Sequence, residues 1–374
     1  MLGSMKKMTS LETAWAYTVT LLSTAISDQL DRIMGAFCPR SEAQTPEWSY
    51  AIHSAVAGGK RFRGLGALIG STTVEHRTQS AASLLNETVH TEALDLAVAL
   101  ELYQASALIH DDIIDRADQR RGAPSTHAML TREHQKQEWL DSAEHFGMSG
   151  ALLAGDFLMS AGNVSVAQTV ENIPSQVPTQ YAQMTAEVAY GQYLDLRSAN
   201  VPLGKVQDPV ETALTVARLK SARYSVVHPV VMGALWAGAE PPLVRKLERI
   251  FEPAGLAFQL RDDALGVFGA QDQTGKPAGG DIREKKRTVL LALAFQKANR
   301  AQKAVLEAAY HPDATDPDIE AVTEVLRARG QAPHEKMIRE LRNESQLVLR
   351  ESDLPSDAKE LCAELINRLT ERRA

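Results

Sequence analysis

Two short acidic runs are the residues best suited to chemistry in this chain. Asp111-Asp112-Ile113-Ile114-Asp115 closes a long apolar stretch, and Gln259-Leu260-Arg261-Asp262-Asp263 lies inside another. Asp111 and Asp115 are four residues apart, so on a helix they share a face, offset by about 40°. Like charges one turn apart destabilise a helix, and the dipole at its C-terminal end disfavours anions as well. A bound cation removes both penalties. Carboxylate oxygens at this spacing suit Mg2+, a hard ion that keeps waters and completes its shell from substrate phosphates. In the second run Phe258, Gln259 and Asp262 can share a face. One acidic run alone reads as a solvated helix end. Two, each on an otherwise apolar helix, point to metal-assisted chemistry.

A metal-bound phosphate needs further cations. Gly58-Gly59-Lys60-Arg61-Phe62-Arg63 combines flexible backbone with charge, and Lys60 and Arg63 are three residues apart. Arg120-Arg121-Gly122 follows the first acidic run by five residues, close enough to serve the same ligand. Lys220 and Lys276 stand beside small residues. Arginine grips phosphate oxygens through two parallel hydrogen bonds, whereas lysine acts as a point charge. No Gly-x4-Gly-Lys-Ser/Thr loop occurs, so nucleoside triphosphate hydrolysis loses its main support.

Helices must position these residues. The helical period runs through residues 11–34, 93–115, 148–167, 178–196, 209–219, 226–237, 242–268, 287–309 and 319–347. No strand or hairpin signature stands out. The polar stretch 131–141 reads as a solvated surface excursion. Loops are expected at 39–42, 121–124, 200–204 and 269–277, where Gly, Pro and polar residues gather. No low-complexity linker or internal repeat splits the chain. The expected architecture is all-α, with an N-terminal tail over 1–10 and one helical domain over 11–374, built around a central bundle.

The bulk numbers narrow the function classes. Hydrophobic residues make up 44% and charged residues 23% of 374, enough for a large core. A net charge of −7 argues against a partner bound mainly through nucleic-acid phosphates. Cys38 and Cys362 are the only cysteines and lie at opposite ends, which predicts reduced thiols in a cytoplasmic protein. Lys6 and Lys7 precede no apolar segment, so no signal peptide is expected. The most apolar stretch, 94–114, contains Asp95, Glu101 and Gln104 and reads as a buried core helix rather than a membrane span.

These motifs together resemble the trans-polyprenyl diphosphate synthases. Gly-Gly-Lys-Arg-Phe-Arg (58–63), Leu-Ile-His-Asp-Asp-Ile-Ile-Asp with Arg-Arg-Gly (108–122), Leu-Ala-Gly-Asp (153–156) and Lys-Ser (220–221) occur in that family's order. Phe-Gln-Leu-Arg-Asp-Asp (258–263) and Gly-Lys-Pro with Gly-Asp and Lys-Lys-Arg (275–287) complete the series. The sequence looks most like the actinobacterial branch, which includes geranylgeranyl diphosphate synthases. The resemblance implies an isoprenoid synthase-type helical bundle around a central cavity, a homodimer, and three Mg2+ ions. It implies Asp111, Asp115 and Asp262 as metal ligands. Arg120, Lys220, Gln259 and Lys276 would hold an allylic diphosphate (dimethylallyl, geranyl or farnesyl). Gly59, Lys60, Arg63 and Arg121 would form the site for isopentenyl diphosphate. Ser221 would lie near the allylic cation, and Lys286 would close over the diphosphate.

Two departures stand out. Gln104 occupies a position where the family commonly has His, so a phosphate contact there would be uncharged. Gly266 stands where the second motif usually ends in a third Asp, which leaves Asp262 as the main ligand with Asp263 supporting. The family limits product length with bulky residues just before the first motif. Ser106 and Ala107 are small, and Tyr103 lies one turn deeper, roughly 5 Å by helix pitch. A floor at Tyr103 predicts a C20 product, with farnesyl or longer products as alternatives. His110 is expected to pack between helices, or to support the residues that hold the ligand, rather than act as a base. Two other readings stay open: a class I terpene cyclase, which also uses Asp-Asp-x-x-Asp, and a helical partner subunit of another synthase.

Overall fold

The computed structural model describes residues 10–37, 45–74, 80–120, 122–169, 176–269, 279–311, 313–314 and 317–371. Apart from a two-residue antiparallel pair, Gln119–Arg120 with Ala123–Pro124, these residues form helices and their connections. The all-α expectation therefore holds. The chain divides into two compact units, neither continuous in sequence. One takes residues to 179 with 229–241 and 354–361, and the other takes 180–228, 242–353 and 362 onward. No change in composition marks the division. It falls inside continuous helices, such as that of Gln176–Ala199.

The first unit holds α1 (Leu11–Phe37), α2 (Pro46–Val56), α3 (Phe62–Ser71), α4 (Ala81–Thr88), α5 (Ala93–Ile114), α6 (Thr126–Lys136) and α7 (Ala143–Thr169). Its axis is α5. Ala and Leu dominate that helix, no Gly or Pro interrupts it, and every residue from Leu96 to Tyr103 is buried. It packs along α7 and against α3. Leu22, Ile26 and Leu30 of α1, Leu68 of α3, Leu102 and Ile109 of α5, and Leu158 of α7 meet in one core. Each such side chain contributes about 1.5–3 kcal/mol by leaving water. By length and composition α7 could cross a bilayer. Its residues Ala151, Ala154, Leu158 and Ala161 instead line this core.

The expected surface excursion at 131–141 is half helix. Helix α6 runs to Lys136, and His134 inside it is buried. His134 Nε2 lies 3.0 Å from the Leu140 carbonyl oxygen. Its ring packs against Trp139 and Phe146, at centroid distances of 5.9 and 5.2 Å. The segment's polar composition hid this aromatic cluster. Helices α2, α3 and α4 were also missed, because each is only 8–11 residues long and short windows carry little periodic signal.

The second unit holds most of α8 (Gln176–Ala199), then α9 (Pro209–Val216), which runs into a π-helical stretch, Ala217–Val227. Helix α10 (His228–Trp236) follows, and its residues from Pro229 belong to the first unit. Then come α11 (Pro241–Phe268), α12 (Gly280–Arg283), α13 (Val289–Lys297), α14 (Arg300–Ala309), α15 (Ile319–Leu326), a second π turn (Arg327–Gln331), α16 (Ala332–Glu351) and α17 (Ser356–Thr370), whose residues to Leu361 belong to the first unit. Leu290, Leu291 and Ala294 of α13 pack with Leu306, Val322 and Leu326. Ala257 and Leu260 of α11 pack with Val289, Leu293 and Ile338.

Three expected boundaries shift. The helix expected over 287–309 breaks at Ala298, where Asn299 starts α14 with a capping box. Its side chain accepts from Gln302 N–H while the Gln302 side chain accepts from Asn299 N–H, which satisfies two donors that a helix start otherwise leaves open. The run expected over 319–347 contains Pro333, which cannot donate within a helix. The π turn ends just before it, and Pro333 falls in the first turn of α16. The gap left between 219 and 226 is the long π stretch, whose i→i+5 bonding shifts the apolar pattern out of α register.

Candidate active site

In the first unit the acidic run sits where the sequence placed it. Asp111 and Asp112 are in the last turn of α5, and Asp115 is the residue at its end. Asp111 and Asp115 are partly exposed, whereas Asp112 is buried. Arg120 reaches back from the short strand pair. Its Nε donates to both Asp112 oxygens at 2.8 Å, and its Nη2 lies 2.6 Å from Asp112 Oδ1 and 3.3 Å from Asp111 Oδ2. One buried acid thus fixes the guanidinium beside Asp111. Asp112 was not among the expected site residues. Its signal was its neighbour: one residue along a helix turns about 100°, so Asp112 must point away from the Asp111–Asp115 face and inward.

The basic loop is held by a second buried acid. Gly58 and Gly59 have φ of 68° and 102°, and Arg61 has φ 53° as it enters α3. Only glycine adopts the Gly59 value without cost. Arg61 turns inward: Nη1 lies 3.5 Å from Glu101 Oε2, Nε donates to Ser23 Oγ, and Nη2 donates to the Val56 carbonyl. Glu101 Oε1 also accepts from Gly64 N–H at the start of α3. Arg61 is therefore the anchor, and its neighbours Lys60, exposed, and Arg63, partly exposed, flank it.

Below Asp111 the accessible side of α5 is a stripe. Leu108, Ala107 and Gln104 are partly exposed, and Ser106 is buried. The stripe stops there, since residues 96–103 are all buried. Tyr103 marks that limit. Burial pushes its hydroxyl up to about 12, with Arg63 pulling the other way. His110 faces α7, with Nε2 3.3 Å from the Leu152 carbonyl oxygen and 3.4 Å from Asp156 Oδ1. That is the helix-packing role expected of it.

In the second unit Lys220 and Ser221 lie on the π stretch, partly exposed. Lys220 Nζ donates to Asp195 Oδ2 of α8 at 2.6 Å. A β-carbon at Gly191, one turn before Asp195, would fall 2.4 Å from the Lys220 backbone nitrogen. Any side chain there would push α8 off the π stretch. The contact is fastened further by Glu187, whose Oε2 accepts from Arg223 Nε at 2.9 Å and lies 2.9 Å from His228 Nε2. Asp195 was another residue that the motif spacing could not reveal.

On α11, Gln259 and Asp262 are partly exposed, and Gln259 Nε2 donates to Asp263 Oδ1 at 2.8 Å. Asp263 is buried. Burial first, then the neighbouring Asp281 charge, hold its carboxyl well above the usual range. Lys286 lies 2.7 Å from Glu284 Oε2 and 3.6 Å from Asp281 Oδ1. Arg121 and Lys276 lie outside the described residues.

Every candidate ligand group for a cation here is an oxygen. Among the described residues no three carboxylate, imidazole or thiol groups converge into a cage. A carboxylate pair such as Asp111 and Asp115 suits Mg2+, which keeps waters and takes further ligands from phosphates, and does not supply the closed shell of structural zinc.

The fold and the site define an all-helical enzyme that handles anionic, phosphate-bearing substrates. A family model for polyprenyl synthetase matches residues 46–327. The geranylfarnesyl diphosphate synthase of Aeropyrum pernix is 30% identical over 291 residues, covering 75% of this chain and 79% of that protein. The geranylgeranyl diphosphate synthase of Methanosarcina mazei is 31% identical over 244 residues, covering 64% and 65%. A crystal structure of geranylgeranyl pyrophosphate synthase from Corynebacterium glutamicum, complexed with isoprenyl diphosphate and magnesium, superposes with a TM-score of 0.81 at 33% identity. It covers 97% of this chain and 100% of that one. The chain belongs to the polyprenyl synthetase family, and it is a prenyl-transferring diphosphate synthase.

Proposed function

We propose that the chain condenses isopentenyl diphosphate with an allylic diphosphate (dimethylallyl, geranyl or farnesyl) and releases geranylgeranyl diphosphate. The observation that carries this reading is the Arg120 fork on Asp112. It sets a phosphate-gripping guanidinium 3.3 Å from Asp111, the first carboxylate expected to hold metal. Asp111, Asp115 and Asp262 would bind Mg2+, three ions with diphosphate present. When bound, the ions supply positive charge to the departing diphosphate.

The chain's own residues do the rest. Arg120, Lys220, Gln259, Lys276 and Lys286 hold the allylic diphosphate, and preorganised cations favour the charge that grows as the C–O bond breaks. The electron pair of that bond leaves with the diphosphate. Gly59, Lys60, Arg63 and Arg121 orient isopentenyl diphosphate so that its double bond attacks the allylic carbon. Gln104 adds an uncharged hydrogen bond. Oxygens of Ser221 and Gln259 face the cation. A proton then leaves the carbon next to the new cationic centre, its C–H electrons close the double bond, and the released diphosphate accepts it. His110 is engaged on α7 and takes no part.

Support for the C20 length comes from the accessible stripe of α5, which ends at Gln104 above buried Tyr103. We assign the protein to the cytoplasm as a homodimer. Exposed Met148 and Leu152, four residues apart and so on one face of α7, support a second copy. Incubation with labelled isopentenyl diphosphate and each starter, followed by chromatography of the dephosphorylated products, tests the reading. Geranylgeraniol is expected. Absence of label in any prenyl product would remove it.

A further inference from the structure

The run Lys285-Lys286-Arg287 sets one proposed diphosphate-binding cation between two others. The outer two turn to the same place. Lys285 Nζ donates to the His311 carbonyl at 2.8 Å. Arg287 Nη2 donates to the Tyr310 carbonyl at 3.3 Å, and the guanidinium stands 5.2 Å from the centre of the Tyr310 ring. Both carbonyls lie at the C-terminal end of α14, where the last turn leaves acceptors open and the helix dipole favours cations. The same Nη2 also lies 3.3 Å from the carbonyl oxygens of Ala199 and Val201, at the end of α8. Arg287 Nε and Nη1 are buried without a partner, and the residue makes no ion pair among the described residues. Its polar hold is therefore on two helix ends. Packing does not replace that hold. A cavity of about 30 Å3 is lined by Ser198, Leu203, Arg287, Leu291 and Phe295, so apolar contact between the end of α8 and α13 is incomplete there. Asp195, which accepts from Lys220 at 2.6 Å, lies four residues before Ala199. Lys286, one residue before Arg287, points instead to Glu284, 2.7 Å away.

We propose that Arg287 is a positioning residue for the allylic diphosphate, acting through the ends of α8 and α14. Its hold on α8 fixes Asp195, and Asp195 fixes Lys220. Its hold on α14 fixes the backbone that presents Lys286, and Lys285 reinforces it from the other side. Two cations that grip one diphosphate thus share a single tie. Lys60 and Arg63, proposed for isopentenyl diphosphate, belong to the other unit and do not depend on it. The inference rests on the diphosphate roles proposed above for Lys220 and Lys286.

Steady-state kinetics of the full chain with MgCl2 test it, with KM measured separately for farnesyl diphosphate and for isopentenyl diphosphate. Arg287→Met keeps the length of the stem and removes every donor. It is expected to raise KM for farnesyl diphosphate about tenfold while KM for isopentenyl diphosphate stays within about twofold of the parent, since misplacing a gripping group by a fraction of its reach costs on that scale. Arg287→Gln, a milder change that keeps an amide but loses the charge and the reach, is expected to show the same one-sided rise. Parent values of both constants in Arg287→Met overturn the inference. An equal rise in both also overturns it, because that marks general loosening of the fold. If Arg287→Met does not fold, Arg287→Gln decides on the same two criteria. If the parent chain incorporates no isopentenyl diphosphate at all, the functional reading falls and the inference falls with it.

Discussion

Three of the cations proposed to hold diphosphate rest on a carboxylate of their own unit. Arg120 lies on Asp112, Lys220 on Asp195, and Lys286 on Glu284. On the proposed function, an acid that fixes such a side chain before the ligand arrives lowers the ordering cost of binding. Asp112→Ala is therefore expected to raise KM for the allylic diphosphate and lower kcat, on the order of 10-fold or more in kcat/KM, by steady-state kinetics. Tyr103→Ala is expected to lengthen the product, read by chromatography; an unchanged C20 product would remove Tyr103 as the floor. Asp263 carries a pH prediction. Its folded pKa is raised by burial and by Asp281. Its contribution to stability is therefore full below the ordinary carboxylate value and is lost as pH rises through the folded one. Asp263→Asn should melt higher than the parent without metal at neutral pH, by about 2 °C or more, and the gap should close on acidification. Asp111 and Asp115 were legible because they sit against the helix dipole. Asp112 and Asp195 were not, because their value depends on a partner brought by folding.

At the level of elements, the buried pair Arg61–Glu101 joins the basic loop to α5. Its side chains are 6% and 5% exposed, so removing one leaves a charge without compensation. Glu101→Ala is expected to cost about 3–5 kcal/mol in denaturant unfolding, and a cost below about 1 kcal/mol would show that the loop is held otherwise. Glu101 was visible in the sequence as an acid inside an apolar helix, though its partner was not. The long helices α1, α5, α7, α8 and α11 were legible from the apolar period, since their burial follows it over many turns. The π stretches were not. A wider turn carries the same residues with a different period, and Lys220 and Ser221 lie inside one. The capped break at Asn299 was readable in principle, because Asn followed three residues later by Gln is a helix-start signature.

For the molecule as a whole, the motif order predicted the class of enzyme, and the fold and the relatives bear it out. The division into two interleaved units was not legible, because most of its boundaries fall inside helices, such as those at 179 and 361. The central claim is that this chain alone lengthens an allylic diphosphate by five-carbon units up to C20. The most direct measurement uses the purified chain with MgCl2, radiolabelled isopentenyl diphosphate and farnesyl diphosphate, with products resolved after dephosphorylation. Labelled geranylgeraniol is expected, lost when EDTA is added and reduced by orders of magnitude in Asp111→Ala. Labelled product of the same amount in Asp111→Ala, or no label incorporated by the parent chain, would contradict it.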